Sequence, residues 1–383
     1  MHRSLSTFRP KYIVIGSRHI LFFLAFYAIQ LAVSQTITPK IDSLEVNVKY
    51  KNSVLVAPLV SNTPETGWAF ALAGIYIFKT NKKDSLLRTS TIPTGVAYTT
   101  RQQLLIAIGG NIFLPKEDYI IRFENTYSQF PDKFWGIGNK TFNRERQDYA
   151  FEQFYSNPQF FRKVYGKYYL GVGVEFQRVI KTEYGANSWF ETDQVVGRKP
   201  YQAASLGFLL TYDNRNHAYV PDKGGSINIE LYNAALWNFS DYEFQTIRIK
   251  AKKFQKVFKN HVLGFHMVNV FTFGEVPYRS LAVLGGMDIM RGYFSGRFRD
   301  KMMNAVQVEY RLPIYWRFGA VGFAGVGIIA NRFSDYSIDE LKYSLGSGLR
   351  FAILPKEKLN IRFDVAWGNF NSFNYYLILA ESF

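Results

Sequence analysis

The residues that most often carry chemistry are sparse in this chain. There is no cysteine, which removes thiol nucleophiles, disulfide frameworks and cysteine-bound metals. Of the five histidines, His2 and His19 sit in an amino-terminal segment, and His217, His261 and His266 show no metal-binding spacing. His266 falls within an alternating run, where a histidine satisfied in a sheet wall is the simpler reading than a catalyst. A lipid hydrolase would need Ser, His and a carboxamide converging on one wall, a set that sequence alone neither assembles nor forbids. Gly136-Ile137-Gly138 and Gly346-Ser347-Gly348 lack the strand-loop-helix setting of a phosphate cradle, so small residues in a loop or a crowded wall explain them better. The expectation is no catalytic residue, no metal and no cofactor.

One arginine stands out by its setting. Met290-Arg291-Gly292-Tyr293 lies within the longest break in the strand pattern, Gly274 to Met303. An ordinary surface loop of about 30 residues is uncommon and calls for a reason. A guanidinium is a planar fork that takes a carboxylate two-pronged, and it tolerates burial only when so paired. Glu309 and Asp364 fall on the polar parity of two later alternating runs, so either could receive Arg291. Gly292 allows a tight turn, and the ring of Tyr293 can wedge against a wall. On the residues alone, the plainer alternative is that Arg291 is a solvated loop arginine.

The elements that must position these groups read as strands. The 383 residues include 35 Phe, 26 Tyr and 29 Gly, which suits sheets better than helices. From Ser53 onward, segments of about 9 to 14 residues alternate with period two between Gly, Pro, Asn and Asp, as transmembrane barrels do. Ile227, Ile229 and Leu231 alternate with Asn228, Glu230 and Tyr232; Val306, Val308 and Tyr310 with Gln307, Glu309 and Arg311; Ile361, Phe363 and Val365 with Arg362, Asp364 and Ala366. A soluble sandwich alternates too, but the export signal, the aromatic segment ends and the number of segments favour the membrane. Strands are expected near 53–60, 68–78, 89–99, 102–113, 118–128, 149–160, 166–181 and 201–213. Eight more follow near 224–237, 242–255, 261–273, 304–313, 318–330, 343–353, 358–368 and 373–383. The fold class is therefore all-β, a transmembrane antiparallel barrel of sixteen strands, closed so that every backbone group is satisfied in lipid.

An even count leaves both termini on the periplasmic side and makes alternate connections long outside and short inside. Gln129–Asp148, Thr182–Pro200 and Gly274–Met303 then fall outside, and Pro115-Lys116-Glu117 and Pro355-Lys356-Glu357 inside. Lys79–Arg88 and Asn214–Lys223 are longer than this rule prefers. The loop that carries Arg291 becomes the sixth outer one.

The amino terminus reads as an export signal over residues 1–34. Arg3, Arg9, Lys11 and Arg18 precede the apolar run Ile20 to Val33, and small residues stand near Ser34 where cleavage would fall. The run is too short for a spanning helix, which argues against a membrane anchor. Residues 35–52 form a short periplasmic lead-in, and 53–383 the barrel. Losing four basic residues and no acidic ones leaves 42 against 30, a net +12. An exported basic chain meets anionic lipid headgroups and lipopolysaccharide phosphates rather than nucleic acid. Pro58 cannot donate to a ladder, which makes the seam between first and last strands a weak joint. The chain ends on an aromatic, Phe383.

Several motifs carry a resemblance. Met290-Arg291-Gly292-Tyr293 is joined by Asp213-Asn214-Arg215 with Pro221-Asp222-Lys223-Gly224, Glu309-Tyr310-Arg311-Leu312-Pro313, Gly346-Ser347-Gly348-Leu349-Arg350 and Arg362-Phe363-Asp364-Val365-Ala366. Over almost the whole stretch after the signal, the chain resembles the BamA-like bacterial surface-antigen barrels of the outer membrane. That family's barrel has sixteen strands and a sixth outer loop with a Val-Arg-Gly-Phe/Tyr motif that folds back into the lumen. The resemblance implies a non-enzymatic protein of the Gram-negative outer membrane that assists insertion, assembly or translocation of proteins, with other outer-membrane or periplasmic proteins as partners. It also implies that Phe383 belongs to a signal read during assembly. Two departures qualify it. The family's Phe-x-Asp-x-Gly segment appears as Phe323-Ala324-Gly325-Val326-Gly327, so Glu309 or Asp364 must serve in place of the missing aspartate. Members with an assembly or secretion role usually carry periplasmic POTRA domains before the barrel, for which this sequence leaves no room; a barrel-only member is expected. The rival expectation is a passive pore or a structural subunit of a larger outer-membrane complex.

Overall fold

The computed structural model describes residues 52–383 apart from 85–86, 186–187, 189, 191–194, 218–219, 236–238, 259, 355–358, 370 and 380–383. The expected signal over 1–34, the lead-in up to residue 51, the inner turn at 355–357 and Phe383 lie outside the described residues.

Alternation of apolar and polar side chains does produce strands along the whole of this span. They are β1 Ser53–Thr63, β2 Gly67–Phe78, β3 Ser90–Thr99, β4 Leu104–Phe113, β5 Tyr119–Phe134, β6 Gln147–Ser156, β7 Gln159–Tyr165, β8 Tyr168–Tyr184 and β9 Tyr201–Asp213. Then come β10 Gly224–Asn233, β11 Phe244–Phe258, β12 His261–Gly274, β13 Ala282–Leu284, β14 Phe298–Asp300, β15 Met302–Tyr315, β16 Phe318–Ala330, β17 Lys342–Leu354, β18 Leu359–Gly368 and β19 Ser372–Leu379. β6 and β7 act as one barrel strand, because both pair with β5 on one side and β8 on the other. Asn157 and Pro158 separate them, and a proline has no N–H for the ladder. β13 and β14 pair only with each other. The remaining elements make a closed, antiparallel barrel of sixteen strands, as expected. Among the described residues no helix is long and apolar enough to cross a membrane.

Two expected boundaries are corrected. β5 runs to Phe134 rather than ending near 128, pairing onward through Pro131↔Ala150 and Phe134↔Gln147. Pro131 and Asp132 read as a strand end, yet a ladder above the membrane needs no lipid-facing side chains and so leaves no alternation to read. The sixth barrel strand runs on to Tyr165, five residues past its expected end at 160.

Closure assigns the two faces. Val306, Phe363 and Trp367 are exposed on the outer surface, whereas their neighbours Gln307, Glu309, Arg362 and Asp364 are buried. β1 is paired with β2 along its full length, Ser53↔Ile77 through Thr63↔Gly67, with Pro58 opposite Leu72. Against β19, by contrast, its one register pair among the described residues is Asn62↔Leu377.

The end of the barrel away from the termini is capped by its loops. Phe134, Tyr149 and Tyr184 at the strand ends pack with Phe190 from the 185–200 connection and Tyr278 from the 275–301 connection, with ring centroids 4.2 to 6.4 Å apart. Backbone bonds Tyr278 N to Val196 O (2.9 Å) and Gly138 N to Arg299 O (2.8 Å) tie three loops together.

Candidate functional site around Arg291

Residues 275–301 are the sixth connection at that capped end, joining β12 to β15. Within them the backbone doubles back: Gly286 N donates to Tyr293 O at 2.9 Å and Met290 N to Gly286 O at 3.1 Å. This turn presents residues 290–293 as a compact projection. Gly292 has φ 105°, a left-handed conformation suited to glycine, and a Cβ there would lie 3.1 Å from the Trp367 carbonyl oxygen.

Arg291 is fully buried. Its Nη1 donates to Asp364 Oδ2 at 2.8 Å and its Nη2 to Glu309 Oε2 at 2.6 Å, so the two carboxylates left as alternatives by strand parity both receive it. The guanidinium carbon lies 3.4 Å from the centroid of the Phe323 ring, a cation–π contact. Each carboxylate gives its other oxygen to a wall arginine: Arg311 Nε to Glu309 Oε1 at 2.7 Å, and Arg350 Nη1 to Asp364 Oδ1 at 2.5 Å. Arg362 Nε lies a further 3.6 Å from Asp364 Oδ2. Four guanidinium groups thus share two carboxylates. Such a cluster is stable only while its pairings are intact, because a buried charge that loses its partner is costly.

The flanking residues of the loop are also fixed to the wall. Gly292 N donates to the Tyr376 hydroxyl (3.1 Å), and Gly292 O accepts from Ser372 Oγ (2.5 Å) and Asn374 Nδ2 (2.7 Å), all on β19. The Tyr293 hydroxyl donates to Tyr343 O at 2.8 Å and also meets Asn369 Oδ1. Burial pushes its phenol above the ordinary tyrosine range. A Cβ at Gly368 would stand 2.4 Å from the Tyr293 ring, so the glycine makes room for it. Met290 packs with Leu284, Met303 and Ile329. A Cβ at Gly325 would lie 3.5 Å from Met290 Cγ, and one at Gly327 3.1 Å from its sulfur. Gly325 and Gly327 are thus the floor beneath a methionine, and the loop arginine turns to Glu309 and Asp364.

Met290, Arg291, Gly292, Tyr293, Glu309 and Asp364 therefore come together. Pro58 lies apart, on the outward face of β1. Arg311, Arg350, Arg362 and Phe323 belong to the cluster although sequence reasoning gave them no role. The signal was present, since 309 and 311, 348 and 350, and 362 and 364 share one strand face each. Among the described residues no group of three or more His, Asp or Glu side chains is placed to hold a metal. His261 Nδ1 lies 2.6 Å from the Tyr310 hydroxyl, and His266 is buried in the wall.

A closed sixteen-stranded barrel with lipid-facing apolar residues outside and a charged interior is the architecture of an outer-membrane protein. The Omp85 superfamily domain matches residues 76–376, well over half of the chain, and the protein belongs to that superfamily. It is an outer-membrane protein of a Gram-negative bacterium. Its fold is similar to that of BamA from Haemophilus ducreyi lacking POTRA domains 1–3, with TM-score 0.60 and 13% identity, covering 86% of this chain and 70% of that one. CdiB from Escherichia coli matches with TM-score 0.58 and 11% identity, over 86% of this chain and 67% of that one. CdiB from Acinetobacter baumannii matches with TM-score 0.54 and 10% identity, over 86% of this chain and 59% of that one. At these identities the likeness is one of fold. A search of curated proteins returns no match.

Proposed function

We propose that this barrel assists the insertion or translocation of proteins at the outer membrane, without chemistry of its own. Its moving part is the joint between β1 and β19, and the segment Met290–Tyr293, folded back into the lumen, is the lock that holds the wall around it. The observation that carries the reading is the contrast between the two joints of β1 over Val60–Thr63, where both neighbours are described: every residue there pairs with β2, but Asn62↔Leu377 is the register pair with β19 among the described residues. Unpaired backbone groups are expensive in lipid, so a narrowly paired edge is the place where a client strand can add itself to the sheet. Membership of the Omp85 superfamily supports this role. Residues 1–34 direct export, anionic headgroups and lipopolysaccharide surround the barrel, and Phe383 serves its assembly.

The test is to deplete the protein and quantify the outer-membrane proteome. Selective loss of barrel or surface proteins is expected, and unchanged levels would contradict the proposal. Stoichiometric co-purification with unchanged levels would make it a structural subunit instead, and large steady conductance a passive pore.

A further inference from the structure

The lock described above reaches across the seam. On one side, Gly292 is held by Ser372, Asn374 and Tyr376 of β19. Three residues on, Ser295 N donates to Glu65 Oε1 at 2.9 Å, and Glu65 lies in the 64–66 turn that joins β1 to β2. Two strands with one register pair among the described residues are thus bridged by four consecutive loop residues, 292–295. We propose that this segment staples the seam shut at its outer end, with Glu65 as the anchor on the β1 side. The inference rests on the lock reading, to which it adds a specific point of release.

Glu65 is built for the task. It is only 5% exposed, although it sits in a turn at the barrel rim. Gln103 Nε2 donates to its backbone oxygen at 3.1 Å, which fixes the turn against the 100–103 connection. The groups that face its carboxyl are the Ser295 amide, the Thr63 hydroxyl, Arg101 from the 100–103 turn and the Tyr376 phenol of β19. Burial pushes the Glu65 carboxyl above its usual range, against the opposing hydrogen bonds from Ser295 and Thr63 and the charge of Arg101. Once the staple is released the carboxyl meets water and returns to an ordinary value, so the stapled state holds its proton more firmly. The pH-linked part of the stapling is fully present below the released-state value and is lost as pH rises through the stapled-state value. Falling pH tightens the joint, and rising pH loosens it.

The chain lacks cysteine, so a label pair can be placed cleanly. Spin labels at Val60→Cys on β1 and Tyr375→Cys on β19, both outward-facing, report the seam distance in the full barrel in lipid. Glu65→Ala should lengthen and broaden the distance distribution. Glu65→Gln keeps the acceptor without the charge, and should hold the seam closed and abolish its widening as pH rises. If Glu65→Ala fails to fold, the pH series of the unsubstituted barrel against Glu65→Gln decides the matter: widening with rising pH that persists in Glu65→Gln, or is absent from both, would overturn the staple. Unchanged distances in Glu65→Ala while Arg291→Ala lengthens them would overturn the staple and spare the lock. Unchanged distances in both variants would overturn the two together.

Discussion

Replacing Arg291 by alanine removes the one loop side chain bonded to two interior carboxylates, and the structure sets the size of the loss. Breaking a buried ion pair by deleting one partner costs about 3–5 kcal/mol. Here neither carboxylate is stranded, because Glu309 keeps Arg311 at 2.7 Å and Asp364 keeps Arg350 at 2.5 Å. Removing one of four crowded guanidinium groups also removes its repulsion with the other three. The loss therefore sits near the lower end, about 3 kcal/mol even with the contact over Phe323 included. At about 2 °C per kcal/mol for a chain of this size, the unfolding midpoint should fall by roughly 6 °C. The assay is heat-modifiable migration, in which the folded barrel converts to the unfolded band as the sample is warmed. Arg291→Lys keeps a charge but not the fork, and should lie between the two. A midpoint within a degree of the unsubstituted protein for Arg291→Ala would refute the lock.

Gly368→Ala puts a Cβ where the Tyr293 ring now stands and should cost about 1–3 kcal/mol as an overpacked site; faster proteolysis of residues 275–301 in intact cells is the readout. Tyr278→Ala removes a fully buried ring from the aromatic cap, worth about 3–5 kcal/mol by analogy with other large aromatic truncations. Its local effect should appear as larger and more frequent conductance steps in planar bilayers than the unsubstituted barrel shows. In Glu65→Gln the loss of seam order with rising pH should vanish, checked by repeating the spin-label distances across a pH series.

How much of this is legible in the sequence follows from what the bilayer demands. Lipid requires apolar side chains at every second position, so runs such as Val306, Val308 and Tyr310 mark their strands and put Glu309 inside. Where strands rise above the membrane that demand ends, and the extension of β5 through Pro131 to Phe134 leaves no trace. Parity places Glu309 and Asp364 on the right face but cannot choose between them, because the choice depends on how far a folded loop carries the guanidinium. The same parity holds for Arg311, Arg350 and Arg362, which sit in recognisable motifs but whose shared face shows only once the barrel closes. Glu65 gives no signal, since a carboxylate in a polar turn looks solvated until a loop 230 residues away is laid over it.

If client proteins meet the barrel at the β1 edge, as proposed, the contact can be trapped there directly. A photo-crosslinking amino acid at Val56, exposed on the outer face of β1, would be activated during a pulse of protein synthesis in living cells. Adducts with newly exported outer-membrane chains that fade during the chase are expected at Val56, and none from Val172 on β8, across the barrel. Adducts equally abundant at both positions, or none with new protein at Val56, would contradict the proposal.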